Sequence, residues 1–276
     1  MKHHHTIGFI GAGNMARSLA GGLLNNAWRR DKLVLSDPNP EQRAIVADAL
    51  GLTVLENNAD VAARADVLVL AVKPQVLRAT ALALAAAVQA KKPLVISIAA
   101  GIRADDIERW LGGNLAVVRV MPNTPALVGS GASGLFANGL TSEAQRDEAE
   151  SLLRAVGTTA WLRDEALMDV VTAVSGSGPA YVLLVIEALE QAAIHHGLDH
   201  ATARLLTIET VYGAAKMALE GSEEPATLRA RVTSPGGTTE QAVKVLEQGG
   251  LVRLFDDAVA AAVLRARELA NLLGEK

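Results

Sequence analysis

Glycine, serine and threonine crowd into the stretch RVTSPGGTTEQA at residues 231–242, the part of the sequence best suited to hold an anion. Glycines let a ligand come close, and the free N–H groups at the start of a helix attract negative charge. The same stretch also fits an ordinary helix start, with Thr238 as the N-cap and Gln241 completing a capping box. The residues alone leave both interpretations open.

A second glycine turn lies near the beginning of the sequence. The apolar run TIGFI leads into GAGNMA, in which Gly11, Gly13 and Ala16 match the G-x-G-x-x-A pattern of dinucleotide-binding folds. The glycines of that pattern permit a tight turn and the approach of a pyrophosphate, and the small third residue lets the helix pack on the strand. We therefore expect this turn to bind a dinucleotide cofactor.

The following segments alternate between short apolar strands and helical patterns, which is typical of a parallel, doubly wound sheet. The strand-like segments are KLVLSD, DVLVLAV, LVISIAAG and LAVVRVMP. We expect the sheet to end with the last of these, where Met121–Pro125 leaves it as a rigid turn beside the nicotinamide. A helix from Ser142 to Val156 and the strand-like GTTAWL then complete the first domain near residue 163.

The carboxyl ends of parallel strands are the expected cofactor edge of such a sheet. Asp37 closes the second strand, where an acidic residue usually binds the ribose hydroxyls and disfavours a 2′-phosphate, but it also suits a proline-rich turn. Asn58 is a candidate for the adenosine side or for the N-cap of a helix starting at Asp60. Two later strands end at Ala71–Pro74 and Ala99–Gly101, which should lie at the same edge.

From Arg163 onward the strand signal gives way to helical patterns. Two of these helices are apolar on nearly all faces, so we expect them to be buried against a neighbouring subunit. The turn SGSGPAY, which contains Ser177, is another Ser/Gly/Pro helix start that suits an anion. The sequence predicts a dinucleotide-binding domain at residues 1–163 and a helical domain at residues 164–276.

Composition argues against several other classes of protein. The 276 residues carry a formal charge of −4, no Lys/Arg cluster and 3% aromatic residues, which disfavours nucleic-acid binding. No cysteine is present, and the longest apolar stretch, ATALALAAAVQA, is too short to span a bilayer. We expect a cytoplasmic protein without a membrane partner or a metal, and interpret His3–His5 as a tag remnant or a disordered terminus.

With these turns identified, the sequence strongly resembles the pyrroline-5-carboxylate reductases along nearly its whole length. The motifs that carry the resemblance are FIGAGNMA, AVKPQ, SIAAG, VMPNTPALVGSGASG, AVSGSGPAY and RVTSPGGTTE. The first is shared by many dehydrogenases, whereas the fourth and sixth together are highly specific. The resemblance implies an α/β fold with an N-terminal Rossmann-type domain and a C-terminal helical dimerisation domain, often in a ring of dimers.

The resemblance also implies roles for residues. The loop matching Ser234 to Thr239 would hold the carboxylate of L-1-pyrroline-5-carboxylate, with Thr239 near the ring nitrogen. Hydride transfer to a protonated imine needs no strong general acid, so a positioned hydroxyl suffices. The implied substrate site is Ser177, Ser234, Gly236, Gly237, Thr238 and the catalytic Thr239. The implied cofactor site is Gly11, Gly13, Asn14, Met15, Asp37, Asn58, Ala71, Val72, Lys73, Pro74, Ala99, Ala100, Gly101, Pro122 and Asn123.

The resemblance implies NADPH as the cofactor, while Asp37 leads us to expect appreciable use of NADH as well. A β-hydroxyacid dehydrogenase would share the two-domain plan, but it needs a lysine that GPAYVLLVIEALEQAAI lacks. A non-catalytic NAD(P)-sensing protein would leave the SPGGTT and SGSGPAY turns without a role.

Overall fold

Short apolar segments form a single eight-stranded sheet in the computed structural model, which describes residues 5–274. His3 and His4 lie outside the described residues. The strands are β1 Ile7–Ile10, β2 Leu33–Ser36, β3 Val54–Leu55, β4 Val67–Leu70, β5 Leu94–Ser97, β6 Val117–Met121, β7 Gly131–Ala137 and β8 Gly157–Trp161. The helices are α1 Asn14–Asn25, α2 Pro40–Leu50, α3 Asn58–Ala62, α4 Pro74–Lys91, α5 Ala104–Trp110, α6 Glu143–Arg154, α7 Met168–Val171, α8 Gly178–His195, α9 His200–Glu220, α10 Pro225–Arg231, α11 Thr238–Gln248 and α12 Leu251–Leu273.

The strand order β3-β2-β1-β4-β5-β6-β7-β8 confirms a doubly wound sheet, in which the first six strands are parallel. The prediction that the sheet ends with β6 was wrong, because β7 pairs antiparallel with β6 and β8 pairs parallel with β7. The predicted rigid turn after β6 is a short 3₁₀ helix, Thr124–Val128. It reverses the chain so that β7 can return beside β6.

Both faces of the sheet are covered by apolar helix faces. On one side, α1 and α6 pack with residues such as Leu19, Leu23 and Leu152 on the sheet. On the other, α3, α4 and α5 contribute residues such as Leu77 and Ile107. A sheet buried on both faces accounts for the nearly continuous apolar runs of its central strands. Its carboxyl edge remains available for binding.

The end of the first half follows local helix chemistry. Ser142 caps α6 in a capping box with Gln145, which places the helix start where it was expected, although α6 ends at Arg154 and not at Val156. Beyond β8, Met168 is fully buried, so the chain continues to pack with the first half of the molecule after residue 163.

The described chain forms two compact units. One, the sheet-bearing unit, contains the residues up to Ser177 together with those from Ala262 onward. The other, the helical unit, contains residues 178–261. The domain division between residues 163 and 164 stays a prediction. The second unit is helical throughout its regular structure, as the sequence predicted.

The second unit has almost no core of its own. Within residues 178–261, only Glu190, Ala203 and Thr207 are buried. By length and composition alone, the run Glu165–His195 is the one described helical run apolar enough to cross a membrane. In α8 of this unit, Leu183 and Leu184 are more than half exposed. So much uncovered apolar surface requires a covering partner.

Gly157, where β8 begins, has φ of +154° and lies against the backbone of Gly131. A Cβ at residue 157 would overlap that backbone, so Gly157→Ala must disturb the pairing of β7 with β8. We expect it to lower the free energy of unfolding by about 2–4 kcal/mol in urea denaturation. Gly139→Ala is the control, because beyond its two chain neighbours no other described residue lies within 4 Å of its added Cβ. Equal stability of the two variants would contradict this assignment.

Candidate active site

The glycine turn after β1 leaves an open helix start. Gly11 has φ of +95°, donates its N–H to the Ser36 carbonyl at 2.9 Å, and would place a Cβ 2.9 Å from the Ala71 carbonyl oxygen. Gly13 is the N-cap of α1, with open space around it, no side-chain cap and no acidic residue in the first turn. Free N–H groups and close access fit a dinucleotide pyrophosphate.

The predicted contacts Asn14 and Met15 are the first two residues of α1. Asn14 is exposed and accepts a hydrogen bond from Arg17 at 3.1 Å, whereas Met15 packs partly into the core. The backbone of these two residues therefore belongs to the open helix start.

Asp37 ties the glycine turn to the end of β2. Its Oδ2 accepts the N–H of Ala12 at 3.0 Å, and its Oδ1 accepts the N–H of Asn39 at 2.9 Å. The bond to Asn39 forms the proline-rich turn that was the alternative interpretation of Asp37. Asp37 therefore makes this turn and also contacts the glycine turn after β1. A half-buried carboxylate at this strand end is well placed for ribose hydroxyls.

Arg43 is a neighbour of Asp37 that the sequence reasoning missed. Its Nη1 donates to the carbonyls of Asp37 and Pro38, each at 3.0 Å, and its Nη2 lies 3.8 Å from Glu56. The guanidinium therefore binds the backbone of the loop that follows β2. An arginine at this position of a Rossmann sheet is the residue type that accommodates a 2′-phosphate.

Asn58 begins α3 and does not cap it. The interpretation as N-cap of a helix starting at Asp60 was wrong, because Asn57 is the cap and accepts the N–H of Ala59 at 2.9 Å. The Oδ1 of Asn58 accepts the Ser36 hydroxyl at 2.8 Å. This bond keeps Asn58 at the carboxyl end of β2.

The other predicted cofactor loops also follow strand ends. After β4, Ala71 donates its N–H to the Ile10 carbonyl at 2.8 Å, Val72 is half-buried, and Lys73–Pro74 starts α4 without a side-chain cap. After β5, Ala99 is buried, Ala100 is half-buried and Gly101 turns the chain with φ of +75°. All lie at the carboxyl edge of the sheet.

Asn123 connects the turn after β6 to the stretch that precedes α8. Its Nδ2 donates to the carbonyl of Ser175 at 3.2 Å, and its Oδ1 accepts the N–H of Ala132 at 2.9 Å. Pro122 beside it is buried. Ser177 closes the π-helical turn Thr172–Gly176, and such turns recur at functional sites. Asn123 thus holds the predicted nicotinamide loop against the Ser177 segment.

Glu165 joins three parts of this unit through one oxygen. Its Oε1 accepts from Arg119 in β6 at 3.0 Å and from the N–H of Ala104 at 2.8 Å. It therefore connects β6 to the start of α5, close to the loop at residues 99–101. The signal in the sequence was an arginine inside the apolar strand VVRVM.

The loop at residues 234–239 starts α11 on a glycine. Gly237 is the N-cap and donates to the Ser234 carbonyl at 3.0 Å, so the prediction of Thr238 as N-cap with Gln241 in a capping box was wrong. Gly236 has φ of +72° and donates its N–H to Glu240 at 2.8 Å. The left-handed glycine and this carboxylate shape the turn, which leaves the threonine hydroxyls unused in capping.

Neither threonine hydroxyl makes a hydrogen bond with another described residue. Thr238 is exposed, Thr239 is half-buried, and both belong to the first turn of α11. Together with the backbone N–H groups of that turn, they provide donors for a carboxylate and for one further polar atom. The loop can therefore donate hydrogen bonds to an anion.

The predicted cofactor residues and Ser177 all lie in the sheet-bearing unit, whereas the predicted loop at residues 234–239 lies in the helical unit. Across residues 5–274, no three His, Asp or Glu side chains are grouped so that they could hold a metal ion.

Both halves of the sequence match known families. Residues 165–269 match the family described as pyrroline-5-carboxylate reductase dimerisation, and residues 6–101 match the one described as NADP oxidoreductase coenzyme F420-dependent. The chain is 51% identical over 269 residues to the pyrroline-5-carboxylate reductase of Pseudomonas aeruginosa, covering 98% of each chain. It is 40% identical over 270 residues to that of Pisum sativum, covering 98% of this chain and 97% of the relative.

Solved structures agree with these matches. The pyrroline-5-carboxylate reductase of Coxiella burnetii has a TM-score of 0.92 and 46% identity, covering 96% of this chain and 98% of that one. The Plasmodium falciparum enzyme with NADP bound has a TM-score of 0.87 and 28% identity, covering 98% and 100%. Identity at this level along almost the entire length shows that the chain belongs to the pyrroline-5-carboxylate reductase family.

Proposed function

We propose that this protein reduces L-1-pyrroline-5-carboxylate to L-proline, with NADPH as the hydride donor. Family membership supports the reaction class, and the Plasmodium relative with NADP bound supports the cofactor. The observation in this chain that carries the proposal is the glycine-capped start of α11, where two threonine hydroxyls lack intramolecular partners among the described residues.

The proposed cofactor site uses the open start of α1 for the pyrophosphate and the half-buried Asp37 for the adenosine ribose. The loops at Ala71–Pro74 and Ala99–Gly101, with Pro122 and Asn123, line the path toward the nicotinamide. When bound, NADPH supplies a hydride for the imine carbon. Asn123 keeps its loop fixed through Ser175 and Ala132, which maintains the register that hydride transfer needs.

The substrate is proposed to bind with its carboxylate on the backbone N–H groups of Thr238 and Thr239, with Ser234, Gly236 and Gly237 forming the turn. Thr239 Oγ1 then accepts a hydrogen bond from the protonated ring nitrogen, and its hydroxyl can donate to the lone pair that this nitrogen gains on reduction. As the imine carbon accepts the hydride, the C=N π electrons become the nitrogen lone pair, and the proton already on the nitrogen remains there. A strong general acid is therefore unnecessary, which fits a site built from hydroxyl and amide donors.

We further propose that the helical unit forms a dimer through α8 and its neighbours, in accord with the dimerisation family that matches residues 165–269. The sparse core of residues 178–261 and the exposed leucines of α8 support this. Association of such dimers into a ring, and a cytoplasmic location with access to reduced nicotinamide cofactor, are parts of the same proposal.

The role of Thr239 is tested by Thr239→Val, which keeps the shape and removes the hydroxyl. We expect kcat/KM for the imine to fall roughly tenfold to a hundredfold, the effect of losing a hydrogen bond of about 1.5–3 kcal/mol to a charged group. The melting temperature should hold, because the hydroxyl has no partner among the described residues and Gly237 is the cap.

Thr227→Val makes the same chemical change at an exposed site of the helical unit and should leave the kinetics unchanged. Parental activity of Thr239→Val would show that the hydroxyl is idle, and early unfolding would show that it is structural. Absence of NADPH oxidation by the parent protein with L-1-pyrroline-5-carboxylate would contradict the proposed function itself.

Cofactor preference is tested by Asp37→Asn, which removes the negative charge and keeps an acceptor for the Ala12 N–H. Because the carboxylate should repel a 2′-phosphate, we expect the ratio of kcat/KM for NADPH to that for NADH to rise roughly fivefold to fiftyfold. Asp48→Asn, at an exposed position of α2, is the control for net charge. An equal ratio in both variants would mean that Asp37 does not face the ribose.

A further inference from the structure

A cavity of about 340 Å³ lies in the sheet-bearing unit, outside the residues assigned to cofactor and substrate. Three arginines line it from different elements: Arg103 at the start of α5, Arg119 in β6 and Arg267 in α12. Two carboxylates, Glu165 and Asp169, complete its charged lining. The lining therefore carries more positive than negative charge, which favours an anionic occupant.

Arg119 is the most buried of the three arginines. Its side chain is only 5% exposed, and its one hydrogen-bond partner among the described residues is Glu165, at 3.0 Å from Nη1. A guanidinium has five N–H donors, so most of those on Arg119 have no acceptor among residues 5–274. Among the described residues, only Asp106 Oδ2 and Trp110 Nε1 are fully buried side-chain atoms without a partner, so the remaining donors of Arg119 are accessible from the cavity it lines, where a bound anion can supply acceptors.

The carboxylates do not use up the donors of the other two arginines. Glu165 Oε1 is shared between Arg119 and the N–H of Ala104. Arg103 donates to the side-chain oxygen of Asn271 at 2.8 Å, and Arg267 Nε is 3.9 Å from Asp169, which is beyond hydrogen-bond distance. Donors on all three arginines thus remain for a bound anion.

We propose that this cavity binds a phosphate group, either free inorganic phosphate or the phosphate of a small metabolite. A planar carboxylate can be held by one arginine fork, whereas three guanidinium groups from separate elements suit the several oxygens of a tetrahedral anion. The cavity has room for one phosphate and a short attached group. Its walls are connected by Glu165 to the start of α5, so an occupant stabilises the segment after the loop at residues 99–101.

The experiment is isothermal titration calorimetry of inorganic phosphate into the full-length protein saturated with NADP+, at constant ionic strength. Saturating cofactor occupies the phosphate sites of the glycine turn. We expect saturable binding of one phosphate per chain, and about tenfold weaker binding in Arg267→Gln. Acetate should bind more weakly than phosphate. A parallel titration with methyl phosphate distinguishes the sources, since tighter binding of the monoester indicates a phosphorylated metabolite.

Arg265→Gln is the matched control, because Arg265 lies on the same helix, is similarly exposed and pairs with Glu268 at 2.7 Å outside the cavity. It should bind phosphate like the parent. Arg103→Gln provides a second cavity variant, with the same expected loss as Arg267→Gln. Absence of saturable binding by the parent, or equal affinity of the cavity variants and Arg265→Gln, would overturn the proposal.

Discussion

Free backbone N–H groups at glycine-capped helix starts are the feature on which the rest of this structure depends. Gly13 before α1 and Gly237 before α11 both begin a helix without a side-chain cap, whereas the side chains of Asn39, Ser142 and Asp199 cap other helices. A side-chain cap would satisfy these donors internally and close the approach to them. In the proposed function, these two helix starts bind the negatively charged groups of cofactor and substrate.

The two units keep their helix starts in place in different ways. In the sheet-bearing unit, the edge is rigid because side chains tie successive strand ends together: Asp37 holds the glycine turn, Asn123 holds the turn after β6, and Glu165 holds the start of α5. The helical unit has only three buried residues of its own. A unit with so small a core depends on association for its order, in accord with the dimerisation family that matches residues 165–269.

Local patterns made the βα order, the glycine turn and the helical second half predictable from the sequence, because each is encoded within a few neighbouring residues. The antiparallel return of β7 was missed, since GASGLFA has too many small residues to show alternation. The cap of α11 was misplaced by one residue, because a left-handed Gly236 and Glu240 shape that turn. The ion pair of Arg119 with Glu165 joins residues 46 apart, and no local pattern encodes such a contact.

A crystal structure of the assembled protein with NADP+ and L-proline tests most directly whether the start of α11 is the substrate anchor. The proline carboxylate should accept hydrogen bonds of about 3 Å from the N–H groups of Thr238 and Thr239. The ring nitrogen should lie within the same distance of Thr239 Oγ1, and the adjacent ring carbon should face the nicotinamide. Proline bound with its carboxylate on other groups, and with the start of α11 empty, would contradict this assignment.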